Sequence, residues 1–130
     1  MIHPNLKDSI TIHHIVFTIL DLNETEQFYT KIFGPSLYSN ANTAMYQVGQ
    51  TMLIFIQKEQ ENQAVKTFNP SNIGLEHLAF GLKNLEELQE VEKVLTINNI
   101  QNSGIHTDTS SKKEKIWLND PSNIRIEFYL

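Results

Sequence analysis

The sequence predicts an α+β fold assembled from two copies of one βαβββ module, and three observations predict it. The first is an internal repeat. His14-Ile-Val-Phe-Thr-Ile-Leu-Asp-Leu-Asn-Glu24 reads against His77-Leu-Ala-Phe-Gly-Leu-Lys-Asn-Leu-Glu-Glu87 at a constant offset of 63, and self-similarity constrains architecture before any single element is assigned. His14/His77, Phe17/Phe80, Ile19/Leu82, Asp21/Asn84, Leu22/Leu85 and Glu24/Glu87 match in type. The second is a period-2 apolar stretch running into a helix start in each copy. The third is a set of strand-like segments after each helix.

The elements follow in order. In the first copy the strand begins at His14, and Asn23 with Glu26 reads as a capping pair for a helix that carries Phe28, Ile32 and Phe33 and stops at Gly34-Pro35. Strand-like stretches then cover Ser36 to Asn40, Ala44 to Val48 and Thr51 to Gln57. In the second copy Asn84 with Glu87 opens a helix carrying Leu85, Leu88, Val91 and Leu95, which ends near Asn98-Asn99. Strands are expected around Ile100 to His106, Lys115 to Leu118 and Ile124 to Leu130. The organisation is therefore one domain over 1–130, with a module at 10–57, a polar surface linker at 58–72 closed by Asn69-Pro70-Ser71-Asn72, and a module at 73–130.

Composition narrows the chemistry. A chain of 130 residues can bury roughly two-thirds of its unfolded surface, so a core is possible without staples. Lys+Arg 10 against Asp+Glu 15 gives a net charge of -5, which lacks the basic excess that nucleic-acid binding needs. The longest apolar run, Met52 to Ile56, is far below the ~20 residues that span a bilayer. The opening MIHPNLKDSI has no basic and apolar leader pattern, so the cytoplasm is the expected location. With no cysteine, any metal ligand or acid–base group comes from His, Asp or Glu.

Alternation along the strands separates two faces. Ile15, Phe17 and Ile19 oppose His14, Val16 and Thr18; Leu78, Phe80 and Leu82 oppose His77, Ala79 and Gly81; Ile124, Ile126 and Phe128 oppose Arg125, Glu127 and Tyr129. The bulky faces suit packing against helices. Each opposite face carries one candidate ligand, and small Ala79 and Gly81 leave room beside His77. Two imidazoles and one carboxylate are the donor types of a facial triad with open positions. Taken singly, each His also reads as a solvated strand end, and Glu127 as the outer face of an edge strand.

At these residues the chain resembles the vicinal oxygen chelate superfamily, which includes glyoxalase I, extradiol dioxygenases, fosfomycin-resistance proteins and bleomycin-binding proteins. The resemblance rests on His14 through Asp21-Leu22 with Phe28-Tyr29 and Phe33-Gly34, on Gly74-Leu-Glu-His77-Leu-Ala-Phe80, and on Asp120-Pro121-Ser-Asn-Ile-Arg-Ile-Glu127-Phe128-Tyr129. It implies that the paired modules form a half-open barrel and that His14, His77 and Glu127 hold a divalent metal, Fe, Mn, Ni or Zn. It further implies metal-dependent chemistry, glyoxalase-like or extradiol-dioxygenase-like, on a small molecule with vicinal oxygens, and a homodimer. Met52-Leu-Ile-Phe-Ile56 offers no fourth ligand where glyoxalase-like members carry one, and Gln57 and Glu59 lie only at its end. Thr18, Ala79, Gly81, Trp117 and Arg125 are the expected substrate-pocket residues. His106 and Tyr129 are the candidate acid–base groups, with Tyr46 a lesser one. The alternative is a metal-free binding protein for a small molecule, of the bleomycin-resistance type.

Overall fold

The computed structural model describes residue 2 and residues 4–59 and 67–130. A short helix α1 (Pro4–Ser9), which the sequence pattern did not announce, precedes β1 (His14–Ile19), α2 (Leu22–Phe33), β2 (Tyr38–Ser39), β3 (Thr43–Val48) and β4 (Thr51–Gln57). The second half continues with β5 (His77–Gly81), α3 (Leu85–Ile97), β6 (His106–Thr107), β7 (Glu114–Asn119) and β8 (Arg125–Tyr129). The predicted repeat lands element on element: β1 and β5 both open on the paired histidines, and α2 and α3 both open on the paired leucines.

Each half forms its own four-stranded mixed sheet, in the orders β1-β4-β3-β2 and β5-β8-β7-β6. The opening strand of each pairs in parallel with the closing strand, because the intervening helix carries the chain across the sheet before it returns. The α+β class and the βαβββ order are those expected. The two sheets are not hydrogen-bonded to each other, and they do not close into a barrel within one chain. Two strands are shorter than the pattern suggested. β2 covers only Tyr38–Ser39, and β6 only His106–Thr107, since 100–105 is held instead by side-chain bonds such as Ile105 N–H to Glu92. Of the predicted linker, residues 60–66 lie outside the described residues.

One cap is placed differently from the expectation. Asp21, not Asn23, caps α2: its backbone is extended, at φ -138 and ψ 115, and its carboxylate accepts the Glu24 N–H at 2.8 Å. Glu26 is left free to accept from Ser36 and Ser39. In α3 the cap is Asn84, which accepts from Glu87 N–H as predicted.

The helix-side faces of both sheets build one core. Tyr29 of α2 stacks on Phe55, and Phe33 at the end of α2 meets Phe80 and Phe128 of the second sheet. Tyr29 also donates to the buried carboxylate of Asp120 at 3.1 Å, tying α2 to the β7–β8 turn. Asp120 accepts the Ser122 and Ile124 N–H groups, and Asn123 takes the positive φ, +66, that the turn needs in place of a glycine. The core takes Phe17, Ile19, Phe80, Ile126 and Phe128, so the alternate residues of those strands lie on the opposite faces of the sheets. That placement decides where the site residues lie.

Candidate metal and ligand site

The outward face of the second sheet gathers chemically capable side chains from adjacent strands. His77 and Arg125 are cross-strand partners on β5 and β8, as are Ala79 and Glu127. Trp117 of β7 faces Glu127, and Lys115 faces Tyr129 on one side and His106 on the other. Alternation puts His77, Arg125, Glu127, Tyr129, Lys115, Trp117 and His106 on one surface.

Glu127 is the centre of it. Its side chain is 5% exposed, and His77 Nε2 stands 3.8 Å from Oε2. The other ring nitrogen of His77, Nδ1, bonds the Glu76 carboxylate at 2.5 Å, which fixes the ring and turns Nε2 toward Glu127. A carboxylate behind a histidine is the arrangement that orients imidazole ligands in metal sites. The nitrogen and oxygen donors suit a borderline divalent cation. The ammonium of Lys115 lies 3.4 and 3.3 Å from the two oxygens of Glu127, and 3.1 Å from Asp108. Lys115 thus bridges two carboxylates and keeps a buried charge compensated. Burial is the largest single influence on Lys115 and lowers its pKa, but the hydrogen bonds and charges of Asp108 and Glu127 together outweigh it and raise the pKa. The Ser110 hydroxyl, the Ser111 N–H and Lys115 hold Asp108 well below the usual carboxylate range.

His14 does not join this pair within one chain. It opens β1 on the first sheet, exposed, with its Nδ1 2.9 Å from His13 Nδ1. Among the described residues no three His, Asp or Glu side chains stand together as a cation site. The expected pocket residues are likewise dispersed. Thr18 lines a hollow of about 260 Å³ with Phe68 and Ser122, Ala79 and Gly81 line a groove of about 480 Å³ beside Phe33 and Val48, and Trp117 lines a third hollow of about 260 Å³ with Gln101 and Asn102. His14 stands on the β1-β4-β3-β2 sheet and His77 with Glu127 on the β5-β8-β7-β6 sheet, so one chain keeps the candidate ligands on separate sheets.

The remaining candidates have local partners. Tyr129 donates to Ser111 Oγ on the β6–β7 turn. His106 Nδ1 lies 3.0 Å from the Gly104 carbonyl. Tyr46 is buried, bonded to Thr30 Oγ1 and donating to the Glu26 carbonyl, and burial pushes its phenol pKa up. Gln57 bonds the Leu20 carbonyl and the Leu22 N–H, securing the entry to α2 rather than facing the ligand side. Arg125 lies over the Trp117 ring, 4.3 Å from its centroid. Sequence reasoning missed Glu76, Asp108 and Lys115. The parity of Lys115 with Trp117 was a usable signal; the reach of Asp108 from a turn was not.

Residues 11–128 match the family model described as "Glyoxalase/Bleomycin resistance protein/Dioxygenase superfamily". Metallothiol transferase FosB of Staphylococcus epidermidis is 31% identical over 121 residues, covering 92% of this chain and 80% of that protein. A candidate glyoxalase from Bacillus halodurans superposes with a TM-score of 0.81 at 25% identity, covering 96% of this chain and 98% of that one. The fosfomycin resistance protein FosX of Listeria monocytogenes shares the fold, with a TM-score of 0.69 at 18% identity and 92% of each chain covered. No helix among the described residues is long and apolar enough to cross a membrane.

Proposed function

The chain belongs to the glyoxalase/bleomycin resistance protein/dioxygenase superfamily, and on that premise we propose that it is a metal-dependent enzyme acting on a small molecule with two neighbouring oxygens. The cation is held by His77 and Glu127 of one chain and His14 of a second copy. The observation that carries this reading is the buried Glu127 carboxylate 3.8 Å from a histidine Nε2 whose opposite nitrogen is tied to Glu76. A divalent cation bound there supplies Lewis acidity toward a substrate oxygen. The chain's own groups do the rest. Glu76 orients His77, Lys115 compensates Glu127 and then remains on Asp108, and Trp117 and Arg125 border the open side.

A second copy is favoured by what the first sheet leaves uncovered. His14 and Thr18 are exposed, Val16 is 50% and Ile56 40% exposed on the same face, and β1 and β5 each pair on one side only. Apolar sheet surface beside free strand edges favours association. In a homodimer that sets the first sheet of one chain against the second sheet of the other, His14 meets His77 and Glu127 and the half-open barrel is completed.

The name of the Staphylococcus relative makes metal-dependent transfer of a thiol to such a small molecule the first reaction to assay. The second reading, a metal-free binding protein, is favoured by Lys115, whose ammonium already occupies a cation's place beside Glu127. Elemental analysis of protein purified without chelator or a histidine tag separates the two. The enzyme reading expects near one Fe, Mn, Ni or Zn per chain, lost in His77→Ala and Glu127→Ala. A parent that stays empty after supplementation with these cations assigns the second reading.

A further inference from the structure

Arg125 has no carboxylate partner among the described residues. Its guanidinium lies against the indole of Trp117 at 4.3 Å, half-buried, on the strand position directly across from His77 and two residues before Glu127. This differs from the other fixed cation of the same face, Lys115, which is bound to both Asp108 and Glu127. In a chain of net charge -5 an arginine has carboxylates to choose from, yet this one is stacked on an aromatic ring and none of the described carboxylates meets its fork.

We propose that Arg125 is the specificity residue of the site and that it receives an oxyanion group of the bound small molecule. The proposal rests on the reading of the His77 and Glu127 face as the ligand site, and it names the substrate class that reading left open. Two physical arguments support it. The first is pre-organisation: stacking on Trp117 restricts the side chain while leaving the planar fork free, and a guanidinium fork matches the paired oxygens of carboxylate, phosphonate or phosphate. The second is charge. Lys115, Arg125, Asp108, Glu127 and Glu76 sum to -1, and a divalent cation at His77 and Glu127 turns the face to +1, so the loaded site attracts an anion. A substrate that chelates the cation through two oxygens can extend its anionic end to Arg125 on the neighbouring strand position.

Trp117 is the sole tryptophan of the chain, so its emission reports on this stack directly. The experiment titrates inorganic phosphate, and separately acetate, into protein loaded with Zn²⁺ and desalted, with chloride at matched ionic strength as the control. The parent is expected to give a saturable change in Trp117 emission with phosphate or acetate and none with chloride; the stronger of the two tells a dianionic from a carboxylate ligand. Arg125→Met is expected to weaken that binding at least ~10-fold and Arg125→Lys less, because charge is kept and the fork is lost. Circular dichroism and zinc content establish that each variant is folded and loaded. The inference is overturned if folded, loaded Arg125→Met binds phosphate and acetate as the parent does, or if the loaded parent binds neither. Zinc content is read independently: a parent that takes up no metal but binds either anion through Arg125 upholds this inference while removing the metal reading.

Discussion

Replacing Lys115 by Met keeps most of its apolar stem and removes the charge that compensates Glu127. Two unit charges 3.3 Å apart attract by about 5 kcal/mol at an effective dielectric near 20. That gross figure is reduced by the desolvation both groups undergo and by the ordering of the lysine side chain, which is still 17% exposed. A net loss of about 2 kcal/mol remains, because Glu127 is left buried with no cation beside it. Asp108 is at the surface turn and keeps its Ser110 and Ser111 bonds, so it adds little. For a chain of this length the loss corresponds to a Tm about 8 °C lower, measured by thermal melts in excess chelator. In saturating Zn²⁺ the difference should narrow, since the cation replaces the ammonium at Glu127, and calorimetry should show zinc binding up to ~10-fold tighter in Lys115→Met because a competing charge is gone. A variant that melts with the parent in chelator and binds zinc no more tightly refutes the assignment of Lys115 as the internal counter-cation.

Three further outcomes follow from the same geometry. Tyr29→Phe removes the hydroxyl that meets the buried Asp120 Oδ2 and should cost about 1–2 kcal/mol in urea unfolding; no loss would mean that oxygen needs no partner. Burial raises the Asp120 pKa above its unfolded value, so the folded state holds that proton more tightly. The contribution is present at low pH and is lost as pH rises through the folded pKa, so the parent should lose stability relative to Asp120→Asn as pH rises above the ordinary carboxylate range; a pH-independent difference contradicts this. Glu76→Gln should weaken zinc binding about 10-fold through loss of the charged group behind His77, with unchanged urea stability in chelator, because Glu76 is exposed.

The fold was legible where local chemistry and repetition agreed. The 63-residue offset aligned His14 with His77 and Asp21 with Asn84, and both strand starts and both caps sit at those positions. The misplaced first cap is instructive, since the repeat already pointed to Asp21 while a capping-box pattern pointed to Asn23. Strand parity likewise put Glu127 with Arg125 on the polar face of the last strand and His77 on the matching face of its own, while Trp117 came only from the resemblance. What parity cannot express is which faces meet. That depends on Phe33 packing across onto Phe80 and Phe128, a contact between side chains far apart in sequence. With that packing the three candidate ligands divide between the two sheets of one chain. Asp108 and Glu76 were equally hidden, because a turn and a strand-edge residue have no periodicity to read.

The central claim, a cation shared between His14 of one chain and His77 with Glu127 of another, is tested most directly by mixing two inactive parts. His14→Ala and Glu127→Ala chains, each expected to hold no stoichiometric metal, are combined through unfolding and refolding, supplied with Zn²⁺, and analysed for zinc in the dimer peak. Random pairing makes half of the dimers mixed, and each mixed dimer has one intact site of two, so about a quarter of the parent's zinc content should return. A mixture as empty as its components contradicts the account.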